Sequence, residues 1–166
     1  WLLALFRAWP FLRRVVDAVP QQWLAGVQFY RVLGVIFLVL YAAGKLPGVF
    51  ALPAGLGDVA TGLAAPLVGI AFMRSPRGQA GRLRAWNWFG IADLVVAVAT
   101  GFLTSPSRFQ LLSLDKPNEL ITAFPLVLIP VFLVPLAILL HLASLWKLRW
   151  AAEPRGTRTV VTLPVG

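Results

Sequence analysis

Apolar residues run through this chain in four blocks, each about as long as a bilayer is thick. They cover Leu24 to Ala43, about Pro53 to Met73, about Ala85 to Thr104, and about Ile121 to Ala143. A helix rises about 1.5 Å per residue, so ~20 apolar residues cross the ~30 Å hydrocarbon layer. The pattern predicts an all-α polytopic membrane protein, a bundle of four transmembrane helices. Gly44-Lys45-Leu46-Pro47-Gly48 ends the first block, and Pro53 suits the first turn of the second. A basic polar loop from Arg74 to Arg84 parts the second block from the third. Ser105-Pro106-Ser107-Arg108 and a connector with Asp115, Lys116, Pro117 and Glu119 part the third from the fourth. Pro125, Pro130 and Pro135 each remove an amide donor, so the fourth helix should bend.

The chain divides into residues 1–23, 24–146 and 147–166. The first mixes aromatics with Arg7, Arg13 and Arg14; it reads as an interfacial helix or linker, or as the end of an upstream helix. The second is the bundle. The third is a basic tail.

Basic residues set the expected orientation. The segment before the first span carries a net +2, the loop between spans two and three +4, and the tail +3. The two alternate loops together carry +1. The positive segments fall on one side, which the positive-inside rule makes the cytoplasm, so both ends should be cytoplasmic in a bacterial inner membrane.

Polar residues inside the spans are the exceptions that need accounting. Arg31 lies roughly 10 Å from the inner end of span one and Asp93 roughly 12 Å from the inner end of span three. Charges at such depth usually pair, so an Arg31–Asp93 ion pair is expected. The alternative is that Arg31 snorkels to the headgroups while Asp93 is satisfied locally. Asp58, near the outer start of span two, reads as a first-turn acid favoured by the helix dipole and paired with Lys45, or as an outward-facing ligand or proton site. His141 and Asn87 stand near the inner ends of spans four and three, within reach of a hydrogen bond. Gly57, Thr61, Ala65 and Gly69 recur every fourth residue, as do Asp93, Ala97 and Gly101. Stripes of small residues let backbones approach, so spans two and three should pack together. Trp86, Trp88, Trp146 and Trp150 fit an aromatic belt at the inner interface.

Composition narrows the chemistry. Of 166 residues, 59% are hydrophobic and 13% charged, against ~25% charged in soluble domains. There is no cysteine and one histidine. Thiolate chemistry, iron–sulfur clusters and bis-histidine haem are therefore excluded within this sequence, and no metal site is expected. Ser144 has no acid placed to complete a triad, so hydrolysis is not expected. The net charge of +9 lies beside apolar spans, which argues for topology signals and against nucleic acid.

Gln28-Phe29-Tyr30-Arg31-Val32-Leu33-Gly34, followed by Gly44-Lys45-Leu46-Pro47, resembles the first helix of DoxX-like membrane proteins. That resemblance implies a four-helix bundle with an acid near the start of helix two, where Asp58 stands, and a redox role. Across residues 24–146 the chain also resembles an uncharacterised family of small bacterial integral membrane proteins. The motifs are Phe50 to Asp58, Trp86-Asn87 with Asp93-Leu94, and Phe124 to Pro130. That second resemblance implies no established activity.

The sequence favours a non-catalytic accessory or interaction subunit of a larger membrane complex, with the bilayer and other membrane subunits as partners. The alternative is a DoxX-like small carrier, or a quinone- or proton-handling protein, that uses Arg31, Asp58 and Asp93. No cofactor is evident; contact with lipid, quinone or pigment is compatible with the composition.

Overall fold

A computed structural model describes residues 10–151. Expectations for residues 1–9 and for the tail after residue 151 lie outside the described residues. Among those described, all regular structure is helical. Four helical stretches are long and apolar enough to cross a membrane: Gln21–Ala42, Gly48–Arg74, Pro76–Thr104 and Ile129–Arg149.

Helix α1 is Pro10–Ala18. The first span then runs as α2 (Gln21–Gly26), a 3-10 stretch (Val27–Gly34) and α3 (Val35–Ala42). Spans two and three are the uninterrupted helices α4 (Gly48–Arg74) and α5 (Pro76–Thr104). The fourth joins a π turn (Ile129–Leu133) to α6 (Val134–Ala151).

Three expectations about helix bounds are corrected. Span two starts at Gly48, with Pro47 ahead of it in extended conformation. Pro53 is thus inside the helix, and Asp58 is about three turns in rather than in the first turn. The basic stretch from Arg74 to Arg84 is helix, not loop: only Ser75 separates α4 from α5, with Pro76 at a first-turn position of α5. The arginines ride on solvated helical turns at the ends of these two helices. The fourth span begins about eight residues later than the apolar pattern indicates, because Pro125 lies in irregular chain after a short 3-10 turn at Leu120–Thr122. Pro130 sits in the π turn and Pro135 in the first turn of α6. The expected loosening by proline is thus concentrated at one end of the span.

Two apolar layers hold the bundle. Ala25, Ala65, Phe72, Leu83, Trp86 and Leu148 pack at the end carrying the arginines. Phe37, Leu46, Phe50, Ala51, Ala54 and Ile121 pack at the opposite end. Val16 of α1 joins Leu24, Ala143 and Trp146 in a third cluster, and Lys147 Nζ donates to the carbonyls of Val16, Asp17 and Val19 at the end of α1. Trp86 and Trp146 are therefore core residues rather than belt residues; Trp88 is exposed, and the Trp150 side chain lies outside the described set.

The small residues divide between two neighbours. A methyl at Gly57 would strike Asp93, and Gly101 faces Phe50, so this face joins spans two and three. Thr61 and Ala65 are buried, and the Thr61 carbonyl accepts from Trp86 Nε1 at 3.2 Å. Ala97 packs against the layer around Phe50. Gly69, by contrast, faces the Gln22 backbone and Ala25 in span one, and Gly62 faces Val32.

Candidate functional site

Between the two apolar layers lies a buried polar cluster centred on Arg31, which is 3% exposed. It stands in the 3-10 stretch of span one, eight residues long where three or four are usual. Span four faces this stretch with polar bridges: Gln28 Nε2 donates to the Ala137 carbonyl at 3.0 Å and Tyr30 Oη to the Leu133 carbonyl at 3.1 Å.

Arg31 reaches three other spans. Nε donates to Asp58 Oδ1 at 2.7 Å, and Nη2 donates to Asp93 Oδ2. Nη1 meets the Gly90 carbonyl at 3.4 Å and His141 Nε2 at 3.2 Å. The planar guanidinium spreads its donors in fixed directions, which an ammonium cannot reproduce. Space for these groups comes from missing side chains. A methyl at Gly34 would collide with Asp58, one at Gly57 with Asp93, and one at Gly90 with His141. The cluster is about ten residues from the Gly48 end of α4, roughly 15 Å deep, near the middle of a ~30 Å layer.

Arginine has no acceptor, and this fixes the hydrogen atoms along the rest of the chain of contacts. Nε2 of His141 must accept, so its proton is on Nδ1, which donates to Asn87 Oδ1 at 3.0 Å. Asn87 Nδ2 then donates to the Leu83 carbonyl at 2.7 Å and to Ser144 Oγ at 2.8 Å. Ser144 Oγ also accepts from Gln21 Nε2 at 2.7 Å. The imidazole is the neutral tautomer in this arrangement, and it packs at a tilt of 59° against Trp86 with ring centroids 4.9 Å apart. Donation thus runs in one direction from mid-membrane Arg31 through His141 and Asn87 to Ser144, where Gln21 at the start of span one donates from the other side.

A cleft of about 420 Å³ opens onto the cluster from the opposite side. Its walls include Phe37, Phe50, Leu94, Phe102, Ser105 and Ser107, and Asp58 is the charged group that lines it. Phe102, Val98 and Val131 on its rim are exposed, so it communicates with the lipid-facing surface. A smaller pocket of about 190 Å³, lined by Tyr30, Arg31 and Leu133, reaches Asp58 from another side. The volume and apolar walls of the larger cleft, with few polar groups, are typical of small-molecule sites. No group of three or more metal-ligating side chains occurs among the described residues.

The sequence-derived candidates Arg31, Asp58, Asp93, Asn87 and His141 come together in one network. Arg31 pairs with Asp93, and also with Asp58 in place of the expected Lys45, which is exposed at the far end. Sequence reasoning missed Gln21, Gln28, Tyr30, Gly34 and Gly90, and weighed Ser144 only as a nucleophile. A signal for several was present: Gln21, Gln28 and Arg31 share one helical face of an apolar span, as do His141 with Ser144 and Asn87 with Gly90.

Neither a curated protein nor a solved structure matches the chain. A family model does, described as a domain of unknown function (DUF8737), and it covers residues 1–149, from the first residue through all four spans. With most of its length inside that match, the chain belongs to this family of domains of unknown function.

Proposed function

We propose that this membrane protein binds a lipid-soluble small molecule in the cleft and holds its polar head at Asp58, with the Arg31–Asp93 pair behind it balancing charge. The observation that carries this reading is the meeting of an apolar, laterally open cleft with a buried two-acid, one-arginine cluster. The role is binding and carriage rather than catalysis. It is consistent with the DoxX-like features around Arg31 and Asp58, and quinone-class rings fall within the ligand chemistry. The accessory-subunit reading rests on long apolar faces, which lipid covers equally well. The arginine-bearing end belongs in the cytoplasm of a bacterial inner membrane by the charge asymmetry of the loops.

The test is native mass spectrometry of protein extracted with its own lipid. Wild type should retain a small lipid-soluble species. Val98→Trp, which fills the rim of the cleft without touching the charges, should lose it. Absence of any such species, or equal retention by the filled variant, refutes the reading.

A further inference from the structure

The cluster does not balance its own charge. Arg31 supplies one positive charge and Asp58 and Asp93 two carboxylates, while His141 is held as the neutral tautomer by its contact with Arg31. No other cationic side chain is paired with either acid among the described residues. An unpaired charge at mid-membrane is costly, so the cluster takes up one further positive charge. In the empty protein a proton would supply that charge. The two acids differ in access: Asp93 is enclosed beside Gly57, whereas Asp58 lines both pockets. Oδ1 of Asp58 takes Arg31 Nε, and Oδ2 lies over Gly34. Beyond Asp58 stand Phe37, Phe50 and Phe102, whose ring faces attract organic cations.

Building on the cleft-binding reading above, we infer that the ligand is a lipophilic organic monocation, of the ammonium or phosphonium type, that enters from the bilayer and replaces the proton on the cluster. The exchange balances: protonated Asp58 and the free cation give ionised Asp58 paired with the cation plus one released proton. No electrons move. The total charge of the occupied site equals that of the empty one, so neither state leaves an uncompensated charge in lipid. A neutral ligand does not displace the proton, and an anion meets a cluster with no positive charge to spare.

Tetraphenylphosphonium and tetraphenylborate, similar in shape and opposite in charge, make the probe pair, with triphenylphosphine oxide as the neutral control. Binding is measured by calorimetry on the full chain in nanodiscs, with proton release read in weak buffer. The expected result is micromolar binding of the phosphonium, one proton released per cation, and at least tenfold weaker binding of the borate and of the oxide. Asp58→Asn should weaken phosphonium binding at least tenfold and abolish the proton release. Val98→Trp, which keeps the cluster intact, should block the cation by filling the cleft, so the proposal stays testable if Asp58→Asn does not fold. Equal binding of the neutral oxide, or cation binding with no proton released, overturns the exchange while leaving the cleft reading standing. Failure of all three probes to bind, or their undiminished binding to Val98→Trp, removes both.

Discussion

Arg31 is used in four directions at once: two carboxylates, one backbone carbonyl and one imidazole. Removing it strands Asp58, Asp93 and the acceptor nitrogen of His141 together, whereas removing all three charges leaves a cavity that apolar side chains can fill. Breaking a buried pair from one side costs about 3–5 kcal/mol, while exchanging the whole set for apolar groups is often neutral. Arg31→Met should therefore lower the stability of the reconstituted protein by about that amount in a denaturing-detergent titration. The triple variant Arg31→Met, Asp58→Leu, Asp93→Leu should recover most of it while losing ligand binding. A triple variant less stable than the single one would show that the charges stabilise the bundle outright. Arg31 and Asp93 stood out in the sequence because both interrupt apolar runs at similar depth. Asp58 was harder to place. Its role depends on where α4 begins, and Pro53 drew that boundary too late by about five residues. Trp86 was misplaced for a related reason: an indole next to arginines resembles an interface anchor, and only the packing shows it seated over His141 and donating into α4.

At the scale of elements, the number of spans was legible because each apolar run is long enough by itself to declare a helix. Their ends were less so. Proline marks a break in one context and a helix start in another: Pro53, expected in a first turn, lies inside α4, and Pro76, expected in a loop, opens α5. The 3-10 stretch around Arg31 left no mark in the apolar pattern at all. It lies where Gly62 comes close to Val32 and Asp58 to Gly34. The first helix offers a clean test of how elements are joined. Its C-terminal carbonyls at Val16, Asp17 and Val19 converge on Lys147 Nζ, the last at 2.5 Å. A cation at a helix C-terminus satisfies orphan carbonyls and opposes the dipole. Lys147→Met keeps the aliphatic stem and deletes the donor. Hydrogen exchange across residues 14–19 should then speed up by at least tenfold while residues 48–74 are unchanged. Unaltered exchange at both would show that Val16 packing alone seats α1.

The whole molecule is asymmetric across the membrane in two respects that point the same way. Charge collects at one end, where Arg74, Arg77, Arg82 and Arg84 are exposed, and the apolar cleft lies toward the other, extending to Ser105 and Ser107. Between them, the directed hydrogen bonds from Arg31 through His141 and Asn87 to Ser144 run toward the basic end. If the basic end is cytoplasmic, the cleft faces the outer half of the bilayer, and a cation drawn by the membrane potential is carried inward, toward Asp58. Orientation thus decides whether the potential assists loading of the site or opposes it. With no native cysteine, the measurement is direct. Cysteines introduced at Gln79, in the basic turns of α5, and at Leu114, exposed in the opposite connector, can be labelled in intact cells with a membrane-impermeant maleimide. Position 114 should react before lysis and position 79 only after it. The reverse pattern would put the cleft in the inner half, where the potential opposes passage of the cation from the cytoplasmic face to the cluster.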